Sequence, residues 1–439
     1  MKNQKIIKNI LIILTLIVVA VGIFFGITFY QASKVTGSTP RGGNNTDLTR
    51  TPFQTKVATG SDITIIDTSV KPDEVENPLP ILVVEKNIPK LVELWKEPVS
   101  GFDFLSKDIQ VEATTTKGTS TILTTKTIKN QLHIYVWDRA TGNIYENLAS
   151  STDVSRTSNL TSPGVQEATF ISPTTVFTQE LDLDNETIIR SYVNLYKETA
   201  TSTLYTASKK RVFVYADYVS ISPENKKMFY TLTNTGKAYV SNLDLSSVLN
   251  VLNTNITQWI PQYINKKTLS LTTKPSAYFP GYLFFVNSDG TQENQYILGE
   301  KYGLTTLTSP NNTKVLYNEI ENDSLFTSIY DTKTKKTVRL TQATLTEKCV
   351  WSNDSKKIYC AIPQTLKLAP YPDAWYQGKT EFSDNIWSIN PETGKFDIEV
   401  ALQDQVPQKI DAYNLKISSN KQYLLFQDKY TLHLWKYTF

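Results

Sequence analysis

A hairpin phrase that returns along the chain constrains its fold more than any other feature. It reads Ser-Ile-Ser-Pro-Glu-Asn-Lys-Lys-Met-Phe-Tyr at 220–230 and Leu-Thr-Ser-Pro-Asn-Asn-Thr-Lys-Val-Leu-Tyr at 307–317. It comes back as Val-Trp-Ser-Asn-Asp-Ser-Lys-Lys-Ile-Tyr-Cys at 350–360 and Lys-Ile-Ser-Ser-Asn-Lys-Gln-Tyr-Leu-Leu-Phe at 416–426. Each copy is an apolar strand, a Ser/Pro/Asn turn and a second strand rich in Ile, Val, Leu, Tyr or Phe. Hairpins repeating every few tens of residues predict stacked β-sheets.

From about residue 88 the pattern is strand and turn to the end. A brief helix is expected only over Leu243–Leu252. Units start near Pro98, Gly164, Tyr218, Ile256, Gly303, Lys348 and Tyr413, which predicts an all-β, seven-bladed β-propeller. The irregular fourth unit leaves six or eight blades open. The Ser-Pro turn joins strands a and b of each unit. An Asp/Asn-x-x-Thr-Gly-like turn at Asp138–Gly142, Asp331–Lys335 and Asn390–Gly394 is expected to join c and d. On this scheme the phrase at His133–Trp137 and the one holding His433 are both strand c. The last unit stops at Phe439 one strand short. The orphan strand Leu91–Trp95 is therefore expected to complete it, leaving no open edge.

The N-terminus bears on location. Residues 10–30 carry no charge, about the length that spans a ~30 Å hydrocarbon core as a helix. Lys2, Lys5 and Lys8 precede this stretch, and Phe29 and Tyr30 close it as interface aromatics. Its length and the poor cleavage site after Tyr30 favour an uncleaved signal anchor over a signal peptide. The expected order is a cytoplasmic tail (1–9), a transmembrane helix (10–30), a flexible polar linker (31–80) and an extracytoplasmic propeller (81–439). The chain would sit in the bacterial cytoplasmic membrane with a single pass, the N-terminus inside and the propeller in the periplasm or at the cell surface.

The chain has two cysteines. Pairing Trp351 with Ile358 places Cys349 opposite Cys360, and opposed strand positions are close enough for a disulfide. Net charge is +3, with no basic block beyond the N-terminal segment, which argues against a nucleic-acid partner.

The Ser-Pro-Asx-x-Lys hairpins followed by Ile-Tyr or Ile-Trp strands resemble the propeller repeats of the TolB type and of WD-like bacterial proteins. Glu97–Gly101, Asp138–Tyr145, Cys349–Ser352 and Tyr371–Gly378 resemble a family of membrane-anchored propeller proteins of candidate-phylum bacteria. That resemblance covers roughly residues 88–439 and the anchor. It implies fold and topology, and no activity. The α/β domain of the TolB type has no counterpart here.

No catalytic residue, metal ligand or cofactor is assigned. There is no Gly-x-Ser-x-Gly elbow, Walker motif or dinucleotide fingerprint. His133 and His433 read as strand positions. The acidic groups Asp182, Asp184, Glu186 and Glu319, Glu321, Asp323 lack calcium-loop spacing and read as solvated hairpin charge. The long aromatic insertion Gln364–Asp384 and the shorter Pro275–Gly281 loop should decorate one face of the disc. Trp375, Tyr376, Tyr371, Asp373, Tyr278 and Phe279 are the candidate ligand-binding residues, with Trp375 as a channel plug the competing reading. The expected role is a binding or scaffold module for an envelope protein, peptide or glycan. The alternatives are a glycan hydrolase or lyase using channel carboxylates such as Asp373, Glu381 or Asp384, and a purely structural envelope protein.

Overall fold

The serine that opens each repeated turn explains why the phrase folds as a hairpin. In all four copies its hydroxyl accepts the backbone N–H five residues on: Lys227 to Ser222 (3.0 Å), Lys314 to Ser309 (3.0 Å), Lys357 to Ser352 (2.9 Å) and Tyr423 to Ser418 (2.9 Å). Three residues after each serine the backbone turns left-handed, at Asn225, Asn312, Ser355 and Lys421 (φ 53–59°). Asn tolerates that region best.

The computed structural model describes residues 89–439 apart from 118–119, 183–186, 200, 213–215, 233 and 292–293. The anchor and linker expected over residues 10–80 lie outside the described residues. No described helix is long and apolar enough to cross a membrane. The described strands form seven four-stranded antiparallel sheets, the blades of a seven-bladed β-propeller. The first strands of blades 1 and 2, 3 and 4, and 6 and 7 pack on one another, which places these strands at the centre. The orphan strand Leu91–Trp95 pairs with Leu434–Thr438 and supplies the outer strand of the last blade, from Leu91 opposite Tyr437 to Trp95 opposite Leu434.

Three expectations change. Leu243–Leu252 is not helical; a turn leads into the strand Leu249–Asn253. His133–Trp137 lies on the second strand of blade 1, not the third, because Val99–Lys117 and Ser120–Asp138 form a hairpin of 19-residue strands. The Asp138–Gly142 turn therefore joins b to c, as does Asp428–Thr431 in the last blade. His433 falls just ahead of that blade's third strand. A carboxylate accepting a nearby N–H makes the same turn wherever two strands meet.

Only residues 133–137 of the second strand pair with the third. Farther out, 109–117 and 120–128 pair with each other alone among the described residues. This ribbon runs on for roughly 30 Å at ~3.3 Å per residue. It leaves from the face of the a–b turns, where the chain also enters the ring at Leu91. The b–c and d–a connections lie on the opposite face.

Buried apolar residues fill the spaces between blades. Trp137, Phe170 and Val193 belong to one such layer, and Phe426, Trp435 and Leu424 to another. Trp95, Trp259, Trp351, Trp387 and Trp435 all pack in or against these layers.

Candidate functional site

The two aromatic loops do meet. Asp373 Oδ2 accepts the backbone N–H of Ala277 at 2.7 Å, and the N–H of Gly303 donates to the Ser276 carbonyl, also at 2.7 Å. Gly303 has φ +67°, and a Cβ there would lie 2.7 Å from the Tyr371 carbonyl oxygen. Only glycine allows the loops to close over this connection.

Within the 364–383 loop a single helical turn, Asp373–Tyr376, sends adjacent aromatics to opposite sides. Trp375 faces inward at 4 % exposure and Tyr371 at 1 %, in a cluster with Leu325, Leu345 and Phe382. The Trp375 indole N–H donates to Asp411 Oδ2 at 2.9 Å, and the Lys429 ammonium lies 4.2 Å from a ring centroid. This corrects the expectation for both residues. Burying two large rings with their polar atoms satisfied stabilises the loop, and neither ring lines the cleft beside it. Tyr376 is half-exposed on the other side, while Tyr278 and Phe279 stand clear at 66 % and 73 % exposure.

Beside these loops the centre of the ring opens into a cleft of about 620 Å³. Tyr218, Ile260 and Thr306 line it from the inner strands of blades 3, 4 and 5, with Lys274, Asp373 and Tyr376 from the loops. Glu347 completes the lining. It sits in the 3-10 turn Thr346–Lys348, which enters the inner strand of blade 6. That turn is pinned by the Thr346 N–H donating to Asn318 Oδ1 at 2.9 Å and by the Thr346–Thr305 hydroxyl pair at 2.8 Å. Tyr376 donates its hydroxyl to one Glu347 oxygen, and Thr346 Oγ1 donates to the other at 3.3 Å. Burial lifts the Glu347 pKa above the usual carboxylate range. Burial and the neighbouring Glu347 carboxylate push the Tyr376 phenol far up as well.

Glu347 also borders a second cavity of about 410 Å³, with Ser100, Arg139, Gln166, Glu167 and Tyr413. Glu167 is accessible to solvent yet ringed by protein, as a group facing a channel must be. Its pKa is raised by that enclosure, against the pull of Lys416 and Arg190 and of Gln179 Nε2, which donates to it at 2.5 Å. Burial pushes the Tyr413 phenol up to about 12.

Behind Glu347 lies a buried charge cluster. Lys348 Nζ donates to Asp384 Oδ2 at 2.7 Å and to Asp411, with all three side chains sealed from solvent. The Ala412 N–H also donates to Asp384 Oδ2 at 2.7 Å. Burial, reinforced by the charge of Asp411 and opposed by Lys348, lifts the Asp384 pKa to about 7. Asp384 thus has a raised pKa, but it is walled off from the channel. Glu381 is exposed at the loop's end.

The remaining candidates are structural contacts. Cys349 and Cys360 face each other in register and are bonded, with sulfurs 2.08 Å apart. His133 Nδ1 lies 2.7 Å from a Glu146 oxygen, and His433 Nδ1 the same distance from Glu93. Desolvation lowers the His133 pKa. Glu319 pairs with Lys301 at 2.5 Å, and Glu321 with Arg339 at 2.7 Å. Asp184 and Glu186 lie outside the described residues. No group of three or more His, Cys, Asp or Glu among the described residues is placed to hold a metal ion.

Sequence reasoning missed Glu347 and Glu167. The only signal was position: Glu167 lies near the start of the inner strand Val165–Ser172, where alternate residues face the channel, and Glu347 lies in the turn that leads into the inner strand of blade 6.

These features define a seven-bladed β-propeller closed by an N-terminal strand, with a cleft at the mouth of its channel. No family model matches the sequence, and no curated protein matches it. Among solved structures it is similar to TolB from Acinetobacter baumannii, with 10 % identity over 76 % of this chain and 80 % of that one and a TM-score of 0.41. It is also similar to an oligogalacturonate lyase from Vibrio parahaemolyticus, with 11 % identity over 76 % and 98 % of the chains and a TM-score of 0.44. A third is hydrazine synthase of Kuenenia stuttgartiensis, with 10 % identity over 70 % and 92 % and a TM-score of 0.44. The likeness is one of propeller fold, and the neighbours include both TolB proteins and enzymes.

Proposed function

We propose that this protein is a membrane-anchored, extracytoplasmic binding module that takes up an envelope protein, peptide or glycan on the face carrying the 274–279 and 364–383 loops. The observation that carries this reading is the union of the two loops. It sets Tyr376, Lys274 and Asp373 in the wall of a cleft of about 620 Å³ and holds the 274–279 loop that carries the exposed rings of Tyr278 and Phe279. Rigid aromatic anchors lose little conformational entropy on binding and contribute large contact area. The strand Leu91–Trp95 begins on the face opposite these loops.

The test is affinity capture from a cell-envelope extract, with the full chain and its Tyr278→Ala/Phe279→Ala double variant compared at equal folding. A ligand retained by the wild type and lost by the variant supports the reading. Equal retention, or none by either, refutes it.

A second reading draws on a separate observation: Glu167 and Glu347, both with raised pKa values, border one channel cavity. Paired carboxylates of this kind suit a glycan hydrolase or lyase. Product formation from envelope glycan that disappears in both Glu167→Gln and Glu347→Gln supports that alternative, and its absence excludes it.

A further inference from the structure

We propose that the channel-mouth cleft receives a cationic group, the side chain of a lysine or arginine in a bound peptide, with Glu347 as its counter-charge and Tyr218 and Tyr376 as its walls. This inference rests on the binding reading above and specifies its ligand.

Hydroxyls hold both side-chain oxygens of Glu347, and its own backbone N–H adds to them. One oxygen accepts from Tyr376 and the other from Thr346. Among the described residues no ammonium or guanidinium lies within ion-pair distance of it. The next residue, Lys348, turns the other way and is committed to Asp384 and Asp411. Across the second cavity, Arg139 donates to Gln166 instead. A partly exposed carboxylate enclosed by protein with no cation in contact is poorly compensated, and the pKa of Glu347 is raised by that enclosure against a smaller opposing pull from the Lys348 charge. A cation entering the cleft would compensate it.

The rest of the lining fits such a guest. Tyr218 and Tyr376 are 37 % and 44 % exposed, and aromatic faces attract ammonium and guanidinium groups. Ile260 and Leu307 offer apolar surface to the aliphatic stem of a lysine or arginine. At the rim, Lys274 and Asp373 carry opposite charges, which leaves Glu347 as the net charge of the cleft. The same charge disfavours an acidic sugar.

The experiment titrates the full chain with N-acetyl-arginine methylamide and N-acetyl-lysine methylamide, followed by calorimetry. The neutral isosteres N-acetyl-citrulline methylamide and N-acetyl-norleucine methylamide serve as controls. The cationic probes should bind about tenfold or more tighter than the neutral ones. Glu347→Gln should abolish that preference and Glu347→Asp keep most of it, with equal melting temperatures showing that both variants are folded. Equal affinity for arginine and citrulline probes, an unchanged preference in Glu347→Gln, or no binding of the cationic probes overturns the proposal. If Glu347→Gln still captures the envelope ligand while Tyr278→Ala/Phe279→Ala does not, the binding face stands and the cationic ligand is wrong.

Discussion

Asp373 and Ala277, 96 residues apart in sequence, are joined by a hydrogen bond of 2.7 Å from the Ala277 N–H to the Asp373 carboxylate. Through this bond an insertion in blade 6 meets an insertion in blade 4, and both contribute to the lining of the cleft.

Asp373→Ala should therefore loosen the 274–279 loop without unfolding the ring. The expected cost is about 1.5–3 kcal/mol, the range for a hydrogen bond to a charged group. Hydrogen exchange should show lost protection at the Ala277 amide and unchanged protection in the strands. Uniform loss would mean that the bond belongs to the global fold.

Lys348 Nζ bonds two buried carboxylates, Asp384 and Asp411. Lys348→Ala should destabilise the protein by about 3–5 kcal/mol, because it leaves buried acid unpaired. Lys348→Met should cost nearly as much, since packing is not what is lost. Denaturant unfolding decides this, and a loss under about 1 kcal/mol would show that the cluster relaxes to water.

The Asp384 pKa is about 7 in the fold against an ordinary 3.8. A carboxyl whose folded value is raised binds its proton more tightly in the native state. Its contribution is thus fully present below about pH 4 and is lost as pH rises through about 7. Asp331, lowered first by the Thr334 backbone N–H and then by Lys314, and Asp354, lowered first by Lys421, act oppositely and only on the acid side. The stability difference between wild type and Asp384→Asn should accordingly fall between pH 5 and 7 and level off above. A difference flat across that window would show that Asp384 does not carry the raised pKa.

Trp375 and Tyr376 are neighbours with opposite fates, one in a core and one on the cleft. Trp375→Ala should cost about 3–5 kcal/mol, the usual range for a large buried ring. Tyr376→Ala should cost far less and instead weaken ligand capture. Melting curves beside capture assays separate the two, and equal destabilisation would show that the helical turn acts as one unit.

The outer strand Leu91–Trp95 closes the ring, with Leu94 buried against Val99, Phe102 and Leu434. Leu94→Ala should cost about 2–4 kcal/mol. Removing residues up to Trp95 should expose the edge of Leu434–Thr438 and drive association, visible by light scattering. A monomeric truncation of unchanged stability would show that closure is dispensable.

Local chemistry carried most of the fold into the sequence. The Ser222, Ser309, Ser352 and Ser418 turns and the apolar strands around them are decided within about ten residues. They fixed the hairpins, and their spacing implied the seven blades. The missing strand at the C-terminus pointed to Leu91–Trp95 for the same reason, since a sheet edge needs a partner. Asp138–Gly142 was misread because its turn chemistry is equally local and does not record which two strands it joins. The site depended on what lies far away in sequence. Whether Trp375 faces inward is decided by Asp411, Phe382 and Lys429. Whether Glu347 faces a channel and Lys348 a core is decided by inner strands from several blades. Burial and charge pairing act through space, so the sequence determined the ring, and only the tertiary structure decided which residues its cleft would show.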